Sequence, residues 1–182
     1  MQSFAEWSLS TLREGGATLS WLEESRFEWS ASTTIALEHI LNAKSIVLIV
    51  DEKRKWFERY ILSQINEPRQ DRPFVSIVSI DCLYPSFGSI NSIEMLDMLE
   101  DTISTQYNDN FFFWYIGVGD DKRADLAKKR DSSYFWIFDE EYPSAFSLKS
   151  YDKELDIKLI QLYKLFDKSL SAAIFSEIAL DV

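Results

Sequence analysis

Three aspartates stand where a parallel sheet would bring their carboxylates together. Asp51, Asp81 and Asp139 each follow a run of β-branched or aromatic residues that is typical of a strand. The carboxyl ends of parallel strands meet at one edge of a sheet, and ligands of open α/β folds bind there. Carboxylates that converge at this edge would hold Mg²⁺ for a phosphoryl-transfer or hydrolytic enzyme. The favoured alternative is that each aspartate ends its strand and caps the following turn by accepting backbone N–H groups.

The other patterns that suggest chemistry are weak. Gly117 and Gly119 match the first two glycines of a dinucleotide-binding loop, but Lys122 occupies the position of the third. Cys82 and His39, the one cysteine and the one histidine of the chain, are the only candidates for a thiolate–imidazole pair. Nothing in their spacing joins them. These patterns therefore predict no catalytic residue, no metal ligand and no bound cofactor.

The amino-acid composition limits the kinds of molecule that the protein is expected to bind. The chain has 182 residues, which favours one domain, and its 30 acidic and 19 basic side chains give a net charge of −11. Direct binding to nucleic acid is disfavoured, because attraction to phosphates needs a basic surface. No apolar run approaches the ~20 residues of a membrane span, so no membrane partner is expected. The single cysteine and the lack of a signal-peptide pattern favour a reducing cytoplasm.

Strand-like and helix-like segments alternate through the middle of the chain. Strand-like runs cover 46–50, 74–80, 111–118, 134–138 and, as a short fifth, 145–148. Helical patterns fill the intervals at 55–66, from Asn91 onward and at 121–130. Such alternation implies right-handed crossovers and a parallel sheet with helices on both faces. We therefore predict an α/β fold, a three-layer αβα sandwich with four or five parallel strands.

The whole chain, 1–182, is predicted to form a single domain. Residues 1–43 lack strand-like runs and are interpreted as a helical N-terminal part of two or three helices. Residues 44–150 contain the αβα core. Residues 152–178 keep apolar side chains at helical spacing, which predicts one long C-terminal helix.

Two helix starts carry capping signals. Thr33 or Thr34 is predicted to cap the third N-terminal helix, because a hydroxyl at this position accepts a backbone N–H. Asn91, with Glu94 three residues further on, has the pattern of a capping box. Each signal predicts where a helix begins.

The distribution of acidic residues and of tryptophans leaves open two questions about which parts of the protein form contact surfaces. Residues 73–119 contain six acidic residues and no lysine or arginine. This segment is either a set of buried strands with one acidic helix face or an acidic docking surface for a basic partner. Trp7, Trp21 and Trp29 lie outside the predicted sheet, and they either pack within the chain or bury their area against another subunit.

Several segments resemble the HobA family, and the resemblance covers essentially the whole chain. They are residues 110–117, 134–141, 147–150 and 155–159, together with the opening helix that contains Phe4, Trp7 and Leu12-Arg13-Glu14. These segments are specific to the family and have no chemical function of their own.

The resemblance implies a fold, an assembly and a partner. The fold would be that of phosphosugar isomerase (SIS) domains, with five parallel strands between helices. The protein would form a homotetramer, would be structurally similar to DiaA, and would bind the N-terminal region of the replication initiator DnaA. By this binding it would promote DnaA assembly at the chromosomal origin, as an adaptor with no catalytic activity and no cofactor.

Two loops of a sugar-phosphate SIS domain hold the phosphate. The corresponding loops of this chain lack the residue types that this binding needs. Residues 51–55 follow the first predicted strand and contain neither glycine nor serine. Residues 117–121 follow the third predicted strand and contain no hydroxyl, and Ser86 and Ser89 are the only hydroxyl cluster nearby. A binding module is therefore favoured over an isomerase. An SIS domain that senses a sugar phosphate is the remaining alternative.

The resemblance also suggests where DnaA would dock. Proteins of the DiaA type hold DnaA with apolar residues near their C-terminal end, and the corresponding place here is Ala173-Ile174-Phe175, of which Ile174 and Phe175 are the candidate contacts. Adjacent helical residues point ~100° apart, so one of these two is expected to face solvent or a neighbour. The other interpretation is that Phe175 packs on its own core. Trp7 and Leu12 on the first helix are further candidates for the same contact.

Overall fold

The computed structural model describes residues 2–68 and 71–180. Its strands are β1 (Gln2–Ser3), β2 (Ser45–Val50), β3 (Ile77–Ser79), β4 (Phe111–Val118), β5 (Tyr134–Phe138), β6 (Phe146–Leu148) and β7 (Ile178–Ala179). Its α-helices are α1 (Phe4–Glu14), α2 (Arg26–Leu41), α3 (Lys55–Gln64), α4 (Ile80–Leu83), α5 (Ile93–Tyr107), α6 (Lys122–Ala127) and α7 (Leu155–Ile174). Within the described ranges, none of these helices is long and apolar enough to cross a membrane.

Five strands form one parallel sheet in the order β3-β2-β4-β5-β6. The two central strands, β2 and β4, consist almost entirely of β-branched and aromatic residues that are buried on both faces, as in other parallel sheets. Their register places Ile46 opposite Phe112 and Val50 opposite Ile116. The predicted three-layer α/β sandwich is confirmed, and the sheet has five strands.

Alternate residues of the strands pack into two separate hydrophobic cores, one on each face of the sheet. One face of the sheet, with residues such as Leu48, Trp114 and Trp136, packs against α1, α2, α3 and α7. The other face, with residues such as Ile49 and Tyr115, packs against α4, α5 and α6. This division follows from the period of two along a strand, which sends successive side chains to opposite faces. The strand ends are therefore held between two layers of helices.

The three tryptophans of the N-terminal segment are buried to different extents. Trp29 on α2 is fully buried and its ring lies 5.7 Å from that of Phe4. Trp7 and Trp21 are half-buried at the edge of the same core. Packing within the chain thus accounts for Trp29 completely and for the other two in part.

Two predicted helix caps are wrong. The cap of α5 is Ser92 instead of Asn91, and its hydroxyl accepts the N–H of Met95 at 3.2 Å. Thr33 lies inside α2, where its hydroxyl is buried and shares a 2.8 Å hydrogen bond with the hydroxyl of Tyr134. Threonine has a low propensity for helix interiors, and a tertiary hydrogen bond of its hydroxyl can offset this cost. The sequence pattern cannot show such a bond.

The strand predicted at 74–80 is shorter at both ends. β3 begins only at Ile77, because the side-chain amide of Asn66 binds both backbone groups of Val75 at 2.8 Å and replaces a neighbouring strand there. Its end is set by Ser79, whose hydroxyl accepts the N–H of Asp81 and caps α4. Asp81 consequently lies in the first turn of a helix.

The C-terminal helix is also shorter than the predicted 152–178. α7 spans Leu155–Ile174, and the chain then turns at Ser176, which has a left-handed backbone conformation. The following strand, β7, pairs in parallel with β1 and so joins the two ends of the described chain. A two-residue strand has no periodic signal in the sequence.

Candidate functional site

The carboxylate of Asp51 is fully engaged by its own chain at the end of β2. Its Oδ1 accepts the backbone N–H of Arg54 at 3.1 Å, and its Oδ2 accepts Nη1 of Arg54 at 2.8 Å and the N–H of Val118 at 3.0 Å. The Arg54 guanidinium also lies 4.7 Å from the ring centre of Phe138. Asp51 therefore caps the 3₁₀ turn after β2 and ties it to β4, which is the capping role expected for a strand-end aspartate.

Asp81 belongs to a second ion-pair cluster at the same edge of the sheet. Its carboxylate pairs with Lys55 of α3, and its Oδ1 accepts Nη1 of Arg123 at 2.9 Å. The other nitrogen of this guanidinium donates to Glu52 at 2.7 Å, and the ring of Phe87 lies 4.4 Å away. Burial by itself raises the pKa of Asp81, but the hydrogen bonds from both cations outweigh it and hold the pKa below its ordinary value. The carboxylate is already neutralised.

Asp139 does not join the other two aspartates. It is exposed, has a left-handed backbone, and accepts the backbone N–H of Ser150 at 2.9 Å. Hydrogen bonds from the side chain and then the backbone of Ser150 lower its pKa. In residues 2–68 and 71–180, no three His, Cys, Asp or Glu side chains are grouped so that they could hold a metal ion. The geometry therefore favours caps and ion pairs over the magnesium site considered from the sequence.

The two glycines after β4 are covered by side chains of the same chain. A Cβ at Gly117 would lie 2.7 Å from the hydroxyl of Tyr115 and 2.8 Å from Cβ of Asp51, and one at Gly119 would overlap the carboxylate of Glu140. A dinucleotide needs this backbone to be open to its pyrophosphate. The glycines instead allow the chain's own side chains to approach.

Cys82 and His39 lie on opposite faces of the sheet. Cys82 is exposed on α4, whereas the half-buried imidazole of His39, on α2, packs 5.1 Å from the ring of Phe112. Burial and the nearby Lys44 lower the pKa of His39, so the ring is held in its neutral form. The two residues form no catalytic pair.

Glu58 is a buried carboxyl group beside the Asp81 cluster. It lies in the first turn of α3, and its Oε2 has no hydrogen-bond partner among the described residues. The nearest cation, Nζ of Lys55, is 3.7 Å away. Burial raises the pKa of Glu58, and the Asp81 carboxylate adds to this while Lys55 and Arg123 oppose it. Folding therefore favours the protonated form.

A Glu58→Gln variant is expected to melt at a higher temperature than the wild type at neutral pH. Because the folded-state pKa is raised, the stability that Glu58 contributes is complete below the unfolded pKa, about 4.3, and is lost as pH rises through the folded value. The glutamine side chain carries no charge, so the gain should grow between pH 4 and neutral pH. Thermal melts across this range test it, and a gain that is independent of pH would contradict the titration of Glu58.

The four residues suggested for partner binding differ in how far their side chains are exposed. Phe175, directly after α7, is 51% exposed, whereas its neighbour Ile174 is half-buried against the core. Trp7 is half-buried beneath the ammonium of Lys168, 5.7 Å from its ring centre. Leu12 is buried in the core and offers almost no surface. Of the four, Phe175 has the greatest free area.

A groove near these residues has only one weak sign in the sequence. A groove of about 620 Å³ runs between the end of α1, with the turn that follows it, and one side of α7. Its walls come from segments some 140 residues apart in the chain. The exposed Ile157, which interrupts the polar face of α7, is the only local sign of it.

Comparisons with known proteins agree along the whole chain. A family model described as "HobA: DNA replication regulator" matches residues 1–180. The DNA replication regulator protein HobA of Helicobacter pylori is 27% identical over 188 residues, which cover 99% of this chain and all of that protein.

Two solved structures from Helicobacter pylori have the same fold. A crystal structure of HobA superposes with a TM-score of 0.77 at 28% identity, and a crystal structure of a HobA–DnaA (domain I–II) complex superposes with a TM-score of 0.76 at 29% identity. Each alignment covers 98% of this chain and 99% of the other.

Proposed function

Because this chain belongs to the HobA family of DNA replication regulators, we propose that it binds the N-terminal region of the initiator DnaA and promotes DnaA assembly at the chromosomal origin. One observation carries the proposal. A relative with the same fold over 98% of this chain was crystallised with domains I–II of DnaA. The net charge of −11 agrees with a protein that contacts the initiator and leaves the DNA to it.

The protein acts in this proposal as a non-enzymatic adaptor. The strand-end edge, where an SIS enzyme would bind its substrate, has its carboxylates paired with the chain's own Arg54, Lys55 and Arg123. The glycines beside them are covered by Tyr115 and Glu140. These groups leave little for phosphate or metal, which supports binding without catalysis.

A homotetramer in the cytoplasm is the form in which the adaptor would work. Equal sites on one assembly raise the effective concentration of the bound initiator molecules, so weak individual sites suffice. The exposed free thiol of Cys82 agrees with a reducing compartment. DnaA molecules held together would then engage origin DNA as a group.

The C-terminal end of α7 is the proposed place of contact. Phe175 would be the anchor, since a half-exposed aromatic ring is the type of residue that dominates interface energies. Ile174 and Trp7 would flank it from half-buried positions, and Leu12 would support the helix from the core.

A calorimetric titration of the full chain with the purified N-terminal region of DnaA tests the proposal. We expect saturable binding of about one DnaA fragment per subunit, with a tetrameric mass in parallel light scattering. A folded sample that does not bind the fragment would overturn the proposed function. A monomer that binds would overturn only the tetramer.

A Phe175→Ala variant is expected to bind the DnaA fragment about tenfold to thirtyfold more weakly, because an anchor aromatic contributes about 1.4–2 kcal/mol. Phe74→Ala is the matched control, since Phe74 is 82% exposed on a different segment. Both variants should melt within about 2 °C of the wild type, as surface substitutions do. Equal losses in the two variants would show that the effect is not specific to the end of α7.

A further inference from the structure

β3 is an outer strand of the sheet, and the sequence around it carries no charge. The segment 74–80, which contains β3, has five β-branched or aromatic residues and two serines, and it has no charged residue, proline or glycine. β3 pairs with β2 on one side only, because it stands at the end of the order β3-β2-β4-β5-β6. Uncharged segments with this β-propensity pair readily with copies of themselves when an outer strand offers them unpaired N–H and C=O groups.

The side chains of this outer strand are partly open to solvent. Phe74 is 82% exposed, and Ile77 and Val78 are half-buried, whereas every residue of β2 from Ile46 to Val50 is buried. The segment 74–80 therefore combines a composition that favours pairing between chains with a position at which another chain could reach it.

One side chain occupies the outward backbone groups at the start of this segment. The carbonyl of Ser76 faces β2, where it accepts the N–H of Ile46 at 2.8 Å. Neighbouring residues of an extended chain direct these groups to opposite sides, so the N–H and C=O of Val75 face away from β2. Both are bound by the amide of Asn66 in the turn after α3, whose Oδ1 accepts the N–H and whose Nδ2 donates to the carbonyl, each at 2.8 Å. An incoming strand would need these same two groups.

The opposite outer strand, β6, is closed by a similar contact. The carbonyl of Leu148 faces β5 and accepts the N–H of Asp139 at 3.0 Å, so the N–H of Ser147 faces outward. This N–H donates to Oε1 of Glu28 on α2 at 2.8 Å. At both edges of the sheet, a side chain from elsewhere in the chain thus takes a hydrogen-bonding position that another strand would use.

We propose that Asn66 guards the sheet edge, because its amide keeps the segment 74–80 from pairing with the same segment of a second copy of this chain. The second copy is the occupant that the composition favours, since an uncharged β-prone segment pairs best with itself and has no charge that would select another partner. The contact is a device against edge-to-edge association and is independent of the proposed function.

The test compares the full-length wild type with three variants at neutral pH, after urea denaturation has established that each is folded. Asn66→Ala removes the amide and opens the edge. Thr33→Val is the matched control, because it removes the buried hydrogen bond to Tyr134 of β5 and opens no outer strand. Asn66→Ala combined with Phe74→Lys leaves the amide absent and adds a charge to the open edge, at a position exposed enough to leave the fold intact.

Light scattering follows the mass of the particles, and thioflavin T fluorescence follows the β-structure between chains. We expect Asn66→Ala to form particles larger than the wild-type assembly at least about fivefold faster than the wild type does. Thr33→Val should stay within about twofold of the wild-type rate although it also loses stability. The double variant should return to the wild-type rate, because a charge on an outer strand opposes pairing.

Three results would overturn the inference. If Asn66→Ala associates no faster than the wild type, the edge needs no guard. If Thr33→Val associates as fast as Asn66→Ala, association follows from any loss of stability. If adding Phe74→Lys to Asn66→Ala leaves the rate unchanged, the particles do not form through the segment 74–80.

Discussion

An Arg72→Met variant is expected to lose about 3–5 kcal/mol of the free energy of unfolding, which is the cost of breaking a buried ion pair from one side. The Arg72 side chain is only 1% exposed, and it pairs with the carboxylate of Asp167 on α7. Its guanidinium also donates to the carbonyl of Ile65 at 2.7 Å, the hydroxyl of Ser171 at 2.8 Å and the carbonyl of Asp167 at 3.0 Å. Methionine fills similar space but donates none of these hydrogen bonds.

Urea denaturation and thermal melts measure this loss. For a chain of this size the expected fall in Tm is about 6–20 °C. Arg59→Met is the control, since Arg59 is exposed on α3 and should change stability by less than about 0.5 kcal/mol. A double variant with Asp167→Leu should regain part of the loss, because it also removes the acidic charge that Arg72 balances. A loss below about 1 kcal/mol in Arg72→Met would show that the segment before β3 is not anchored by this pair.

The strength of the strand pattern explains why the fold could be predicted. The runs that became β2 and β4 are apolar throughout, and a sheet with helices on both faces is the arrangement that buries such runs completely. The boundaries of β3 depended on the amide of Asn66, nine residues earlier, which binds the backbone of Val75. A side chain that replaces a strand neighbour leaves no periodic signal.

The sequence predicts the position of the candidate site but not the ion pairs that its carboxylates form. The sequence places Asp51 and Asp81 at the ends of strands, and the structure has both near that edge of the sheet. It does not show that Arg54, three residues on, and Arg123, 42 residues on, neutralise them. The pairing of distant charges is set by the packing of helices, as is the groove, whose walls come from opposite ends of the chain.

An Asp51→Asn variant separates the structural role of this carboxylate from a catalytic one. Asp51 and Arg54 are both buried, and the pair is joined at 2.8 Å. Asparagine removes the counter-charge and offers one acceptor oxygen where three donors now converge from Arg54 and Val118. The buried guanidinium is left without a counter-charge, and a loss of about 3–5 kcal/mol in the free energy of unfolding is expected.

The measurement is urea denaturation of Asp51→Asn beside Asp139→Asn. The control removes the same charge from an exposed aspartate with a left-handed backbone, a conformation that asparagine tolerates well, so its loss should stay below about 1 kcal/mol. A catalytic carboxylate would behave in the opposite way, since sites of chemistry are commonly strained and their removal often stabilises the fold. If Asp51→Asn were as stable as the wild type, Asp51 would be free to act on a ligand, and the magnesium hypothesis would regain its leading residue. The expected loss assigns the carboxylate to the fold and removes the leading residue of the magnesium hypothesis.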